Sequence, residues 1–224
     1  MPRRFGFGLG FNISRLSGLP EPSGFVAKYQ AYDVDDFTLV TGSNVSQWDD
    51  RSANANHLTQ GTALNQPILT QDANQFNNKV DFGTDDFMEG LPVQTGDFTY
   101  VFKGLNLPMD TGSSRVFLSN PDESFSLFYI QSTTDKYVIR DSSSTIHEFN
   151  KVMDYGVDQT VTLTRSGNLY SLYINGVFQD LITISTAVSE FTALGRANPS
   201  FNGSLQELYV YDRALTQSDI RRFQ

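Results

Sequence analysis

The dipeptide Asn175-Gly176 separates two apolar-rich runs, Leu169 to Ile174 and Val177 to Ile184. Asn and Gly tolerate the two positive-φ positions of a type I′ turn, so this spacing predicts a β-hairpin. Just upstream, Thr160-Val161-Thr162-Leu163-Thr164 alternates with period two, which turns Val161 and Leu163 inward. Phe98, Tyr100 and Phe102 share one face of a second strand, and Phe125, Leu127 and Tyr129 one face of a third. Further short strands are expected around 25–32, 45–49, 79–83, 114–119, 136–140, 145–149, 191–196 and 204–211. Clusters rich in turn formers divide them: Thr41-Gly42-Ser43-Asn44, Pro121-Asp122-Glu123 and Arg196-Ala197-Asn198-Pro199. The pattern predicts an all-β fold, a two-sheet antiparallel β-sandwich of jelly-roll type. One short helix is expected at the end. Thr216-Gln217-Ser218-Asp219 offers a capping hydroxyl and a carboxylate three residues on, and Leu215 and Ile220 flank it as a hydrophobic staple.

Composition narrows the class. A chain of 224 residues with 18 Phe and 10 Tyr can bury a core. The net charge of -9 disfavours a phosphate backbone, so no nucleic acid is expected as partner. The absence of Cys excludes disulfides, thiolate zinc sites and thiol catalysis. No apolar run approaches a membrane span, so no membrane insertion is expected. Residues 1–24 differ from the rest, with Gly alternating with Phe or Leu from Phe5 to Phe11. Glycine interrupts any apolar signal-peptide core, so this segment reads as an extended docking arm rather than a leader. It carries three Arg and one Glu, a charge of +2, which leaves -11 of the total -9 on residues 25–224. Arg3, Arg4, Phe5, Phe7, Phe11 and Arg15 are the expected docking residues, and 25–224 the expected sandwich domain.

Two stretches carry a family resemblance. The first runs from Phe25-Val26-Ala27-Lys28-Tyr29 through Trp48-Asp49-Asp50-Arg51-Ser52-Ala53-Asn54-Ala55-Asn56-His57 to Val80-Asp81-Phe82-Gly83 and Asp85-Asp86-Phe87. The second joins Leu172-Tyr173-Ile174-Asn175-Gly176 to Gly203-Ser204-Leu205-Gln206-Glu207-Leu208-Tyr209-Val210-Tyr211-Asp212-Arg213-Ala214-Leu215. Together they resemble the concanavalin A-like lectin/glucanase superfamily in its laminin-G-like branch. Ala53 and Ala55 stand where such sequences often carry glycines. The resemblance implies a concanavalin A-like sandwich, a fold that hosts binders, enzymes and structural modules. Such modules recur in phage virion proteins. With the basic arm and no signal peptide, the expectation is a non-enzymatic phage structural protein, a head or tail decoration or fibre component assembled in the host cytoplasm. Its expected partners are other virion proteins or further copies of itself, in a homo-oligomer or multi-copy assembly, and surface glycans. The alternatives are a carbohydrate-binding adhesin module and a polysaccharide-degrading glycoside hydrolase.

The chemistry is sparse. No Glu lies within four residues of another, so the paired-carboxylate strand of a glycanase is absent. Glu207, beside Tyr209 and Tyr211, is the nearest candidate acid, and its partner must come from another strand. Trp48, the single tryptophan, reads either as a sugar-stacking ring or as a core anchor; Asp85, Asp86 and Asn175 join it as expected glycan contacts. No cofactor is required. Calcium, which favours several oxygen ligands, is the metal that Asp49, Asp50, Asp85 and Asp86 would suit. His57 is expected to fix its loop by hydrogen bonding.

Overall fold

Alternation of apolar side chains in these runs builds stacked antiparallel sheets. The computed structural model describes residues 20–73, 77–108, 113–120, 123–185, 190–196 and 201–224, without the side chains of 123–126. The strands are β1 (Ala27–Gln30), β2 (Phe37–Leu39), β3 (Val45–Trp48), β4 (Leu58–Thr59), β5 (Ile68–Thr70), β6 (Lys79–Phe82), β7 (Phe87–Glu89), β8 (Phe98–Leu105) and β9 (Arg115–Asn120). They continue with β10 (Glu123–Ile130), β11 (Lys136–Arg140), β12 (Ile146–Val152), β13 (Gln159–Ser166), β14 (Leu169–Ile174), β15 (Val177–Thr183), β16 (Ala193–Gly195), β17 (Gly203–Leu205) and β18 (Glu207–Tyr211). One sheet has the order β1-β18-β8-β13-β14-β15; the second has β12-β11-β10-β9-β16-β7-β4-β3-β2; β17-β6-β5 forms a small third.

The main core lies between the two large sheets. From the six-stranded sheet it takes Phe98, Tyr100, Phe102, Val161, Leu163, Leu208 and Val210. Phe102 meets Phe117 and Phe128 of the opposite sheet at ring distances of 5.8 and 6.2 Å. Phe125, Leu127 and Tyr129 were expected to share one face. Leu127 and Tyr129 do, on a separate cluster with Val116 and Val138, while Phe128 and Ile130 enter the main core; the Phe125 side chain lies outside the described residues.

The other face of the six-stranded sheet is covered by the chain's own end. Helix α1 (Gln217–Ile220) starts at Thr216, whose hydroxyl accepts from the Asp219 N–H at 3.2 Å. Leu215, Ile220 and Phe223 pack on Val101, Tyr209 and Tyr211. The staple thus serves tertiary packing as well as the helix start. Pro20 to Phe25 lies on the same face. The Tyr209 hydroxyl, whose one proton is shared with Glu207, reaches Glu21 at 3.1 Å, Tyr211 donates to the Pro22 carbonyl at 2.9 Å, and Phe25 meets both tyrosine rings edge-on. The arm residues Arg3, Arg4, Phe5, Phe7, Phe11 and Arg15 lie outside the described residues.

Candidate functional site

The predicted hairpin forms with both turn residues at positive φ, 48° at Asn175 and 69° at Gly176. The turn projects Asn175 over the last turn of the chain. Its side-chain oxygen accepts from the Thr160 N–H at 2.8 Å, and its carbonyl accepts from Gln224 Nε2 at 2.8 Å. The Thr160 hydroxyl donates to the Phe223 carbonyl at 3.2 Å. These bonds wall one side of an open cleft of about 320 Å³. Lys103, Gly104, Asp158 and Gln206 line the remainder with Gln159. Gly104 has φ +66°, and a Cβ there would run into the Gln206 side chain, so the floor of the cleft requires glycine. Asp158 accepts from Lys79 Nζ at 3.0 Å and from Asn106 Nδ2 at 2.7 Å, which fixes its carboxylate.

Behind the cleft sits Glu207, whose side chain is 1% exposed. Lys103 Nζ lies 2.7 Å from Oε1, to which the Tyr32 hydroxyl also donates; Gln30 Nε2, at 2.6 Å, and the Tyr209 hydroxyl donate to Oε2. Burial alone would raise the pKa of this carboxyl, but the Lys103 charge and the hydrogen bonds outweigh it and hold the pKa below the usual value. Tyr209, buried and facing two carboxylates, is pushed far the other way. The partner of Glu207 from another strand is therefore a lysine. The second carboxylate, Glu21, reaches Glu207 only through the phenol oxygen of Tyr209.

The expected sites on and beside the nine-stranded sheet are structural. Trp48 has no exposure: it stacks on Phe37 at 5.5 Å, packs against Tyr29, and donates from its ring nitrogen to the Gln30 carbonyl. It offers no ring face to a sugar, which corrects the glycan-binding expectation; the strand's inward register placed the ring in the core. The carboxylate of Asp50 is saturated by the N–H groups of Lys28 (2.8 Å), Ser52 (2.7 Å) and Asn56 (2.9 Å) and by the Ser52 hydroxyl. Asn54 and Asn56 both donate to the Val26 carbonyl. His57 Nδ1 sits 3.2 Å from the Asp50 N–H and 3.0 Å from Asp49, so it holds the loop as expected. Asp85 is exposed, and Asp86 accepts from the Gly83 N–H at 2.6 Å. Among the described residues no three His, Asp or Glu side chains converge on a metal position, so Asp49, Asp50, Asp85 and Asp86 do not form the calcium cluster expected of them. Turn making and loop closure account for these carboxylates. Of the four expected glycan contacts, only Asn175 lines the cleft.

A two-layer antiparallel sandwich with an open cleft beside one sheet has a lectin-like fold. The chain belongs to the concanavalin A-like lectin/glucanases superfamily: its Laminin_G_3 family model matches residues 87–221. No curated protein matches the chain in sequence. Among solved structures, domain 4 of AbnA, a GH43 extracellular arabinanase from Geobacillus stearothermophilus in complex with arabinotriose, is similar with a TM-score of 0.60 and 18% identity, over 89% of this chain and 98% of that one. The Trypanosoma rangeli sialidase in complex with sialic acid gives 0.60 and 14%, over 92% of this chain but 33% of the sialidase. The receptor binding domain of botulinum neurotoxin type G gives 0.59 and 11%, over 90% of this chain and 51% of that one. The chain thus spans nearly all of the arabinanase domain, half of the toxin domain and a third of the sialidase.

Proposed function

We propose that this chain is a non-catalytic glycan-binding module whose saccharide lies in the cleft between Asn175 and Lys103. The observation that carries the reading is the convergence of a cation, a carboxylate and three amides, Lys103, Asp158, Asn175, Gln206 and Gln224, on one open surface. Such a set offers both donors and acceptors to the hydroxyls of a sugar, from a backing fixed by the sheet. The similar arabinanase domain was solved with arabinotriose, which adds support from the fold. The state of Glu207 also favours binding over hydrolysis. Most glycosidases use one carboxyl that keeps a proton and a second about 5–9.5 Å away across an open cleft. Glu207 is instead buried, held ionised by Lys103 and separated from Glu21 by a phenol.

The test is titration of the purified chain with arabinan-derived and sialylated oligosaccharides by calorimetry, after a glycan array has chosen the ligand. Gln206→Ala and Asp158→Ala should each weaken binding by about fivefold to a hundredfold, equivalent to about 1–3 kcal/mol for a lost hydrogen bond to a polar ligand. Wild-type affinity in both variants would move the site elsewhere. Release of reducing ends from any array ligand would overturn the non-catalytic reading.

A second reading concerns context and rests on the Phe- and Gly-rich basic segment at 1–24. In it the module is carried in many copies on a phage particle assembled in the host cytoplasm, held to other virion proteins by that arm, with the cleft facing outward. Particle incorporation of the full chain and of a chain lacking residues 1–19 tests it: equal incorporation removes the reading.

A further inference from the structure

The two ends of the six-stranded sheet are treated in opposite ways. At the β1 end the backbone is sewn to the loop beside it. Lys28 N–H donates to Asp50, the Lys28 carbonyl accepts from the Arg51 N–H, and the Val26 carbonyl accepts from Ser52, Asn54 and Asn56. At the other end β15 pairs with β14 alone; β12 of the facing sheet lies against it, but among the described residues no backbone hydrogen bond is made to its outer edge. Exposed sheet edges are normally blunted by lysines, prolines or covering loops. The sequence Val177-Phe178-Gln179-Asp180-Leu181-Ile182-Thr183 has one charge, and that carboxylate already accepts from the Asn150 N–H. Val177, Phe178 and Leu181 are 57%, 46% and 45% exposed, and Leu169 on the neighbouring strand is 44% exposed. Leu181 pairs with Ser171 and Phe178 with Tyr173, so Phe178 and Leu181 stand on the face that carries the C-terminal helix.

The chain also contains a segment with the matching pattern. Phe5, Phe7, Leu9 and Phe11 alternate with Gly6, Gly8 and Gly10. In extended backbone such alternation puts all four apolar side chains on one side and leaves the other bare for close approach. Residues 1–19 hold three Arg and no acidic residue, against a strongly acidic remainder. We propose that the Phe5–Phe11 segment adds as a strand to the β15 edge of a second copy of this chain. Strand addition draws affinity from main-chain hydrogen bonds and specificity from alternate side chains, here the four apolar ones against Phe178 and Leu181.

Reach decides for a second copy. The described chain begins at Pro20, and Glu21 is bound to Tyr209 at the β18 side of the sheet. Only nine residue steps separate Phe11 from Pro20, about 30 Å when fully extended. Four strand spacings set β15 about 19 Å from β18. Between them the C-terminal segment crosses this face, from Leu215 bonded to Thr99 to Gln224 bonded to Asn175. Climbing over a helical turn adds roughly 10 Å on each side of the path. The segment is therefore too short for its own β15, while the edge of a neighbour carries no such limit.

Sedimentation velocity of the full chain from about 1 to 100 µM tests the proposal, and reversible association is the expected result. Phe7→Asp and Leu181→Lys should each weaken that association at least about tenfold. Leu181 is half exposed, so its replacement leaves the unfolding transition in place, and an unchanged urea midpoint checks this. The absence of Cys allows a direct measurement. One copy carrying Leu9→Cys, mixed under mild oxidation with a size-tagged copy carrying Leu181→Cys, should give a mixed disulfide that Phe7→Asp in the first copy suppresses, and a chain carrying both cysteines should link to a second copy. A monomer at every concentration, association unaffected by both substitutions, or a doubly substituted chain that closes only on itself would each overturn the proposal.

Discussion

Removing a carboxylate from water costs several kcal/mol, and Glu207 recovers that cost through Lys103 and three neutral donors. Its pKa in the fold is depressed, so in the folded chain it stays ionised at a pH where the unfolded chain takes up a proton. The stability it contributes is therefore complete above the unfolded value of about 4.3 and is lost as pH falls through the lower folded value. Glu207→Gln should cost about 2–4 kcal/mol at neutral pH, because it leaves Lys103 without its counter-charge. The deficit should shrink in acid. Urea unfolding followed by Trp48 emission at pH 7 and pH 3 measures both, and an equal deficit at the two values would refute the ionic origin. Ala55 makes a second residue-scale case. It holds φ at 54°, a left-handed conformation that costs a side chain about 1 kcal/mol and that glycine adopts freely. Ala55→Gly should raise the urea-derived stability by up to that amount. Legibility at this scale followed locality. Asn175 was readable because a two-residue turn fixes its place, and His57 because its partners are seven and eight residues away. Lys103, Asp158, Gln206 and Gln224 meet only through the topology, and no spacing in the chain joins them.

Elements were most legible where geometry is decided by neighbours in sequence. The hairpin, the cap at Thr216 and the strands built on Phe98, Tyr100 and Phe102 all formed on the residues that predicted them. The short strands β2, β4, β5 and β7 were missed, because two or three residues cannot show a period and their pairing depends on the sheet already being present. The run expected at 204–211 splits into β17 and β18, which lie in different sheets. Gln206 sits at the break, its N–H donating to the Lys103 carbonyl and its carbonyl accepting from Ala31. Register shifts opposite Leu172 and Phe128 were also invisible, since an extra residue in one strand is defined only by its partner. The hairpin yields a prediction at this scale. Gly176 has φ 69°, and a Cβ there would strike the Gln224 side chain. Gly176→Ala should therefore cost about 1–2 kcal/mol, from turn strain and from a displaced chain end. Because Gln224 walls the cleft, the same variant should weaken glycan binding, whereas Gly176→Asn, which tolerates positive φ but carries the same Cβ, should recover part of the stability and none of the binding. Paired calorimetry and thermal unfolding would show whether the two losses move together.

One face of the six-stranded sheet is closed by two segments far apart in sequence. The C-terminal segment and Pro20–Phe25 lie on the same sheet face, and both are tied to Tyr209 and Tyr211. Phe223 meets the Tyr209 ring at 5.0 Å, and Lys28 lies over the rings of Phe25 and Tyr209 at 5.5 and 5.3 Å while pairing with Glu21 at 3.7 Å. Residues 20–25 thus belong with the sandwich in packing, although by composition Glu21 to Gly24 resembles the segment before it. Composition reports what a segment could do alone, whereas these contacts come from tyrosines nearly two hundred residues away. Truncation separates the two. A chain starting at Pro20 should melt within about 1 °C of the full chain, since it keeps every contact described here. A chain starting at Val26 loses the Glu21 ion pair, two tyrosine hydrogen bonds and the Phe25 ring, a loss of about 2–4 kcal/mol for an aromatic side chain with its polar tethers. For a domain of this size that lowers the melting temperature by about 5–15 °C. It also leaves the Tyr209 hydroxyl with Glu207 as its sole carboxylate, beside the cleft wall. Scanning calorimetry of the three chains at one pH decides the matter. Equal melting of the two truncated forms would mean that Pro20–Phe25 rests on the sheet without holding it, and a large drop for the Pro20 form would place essential contacts in residues 1–19.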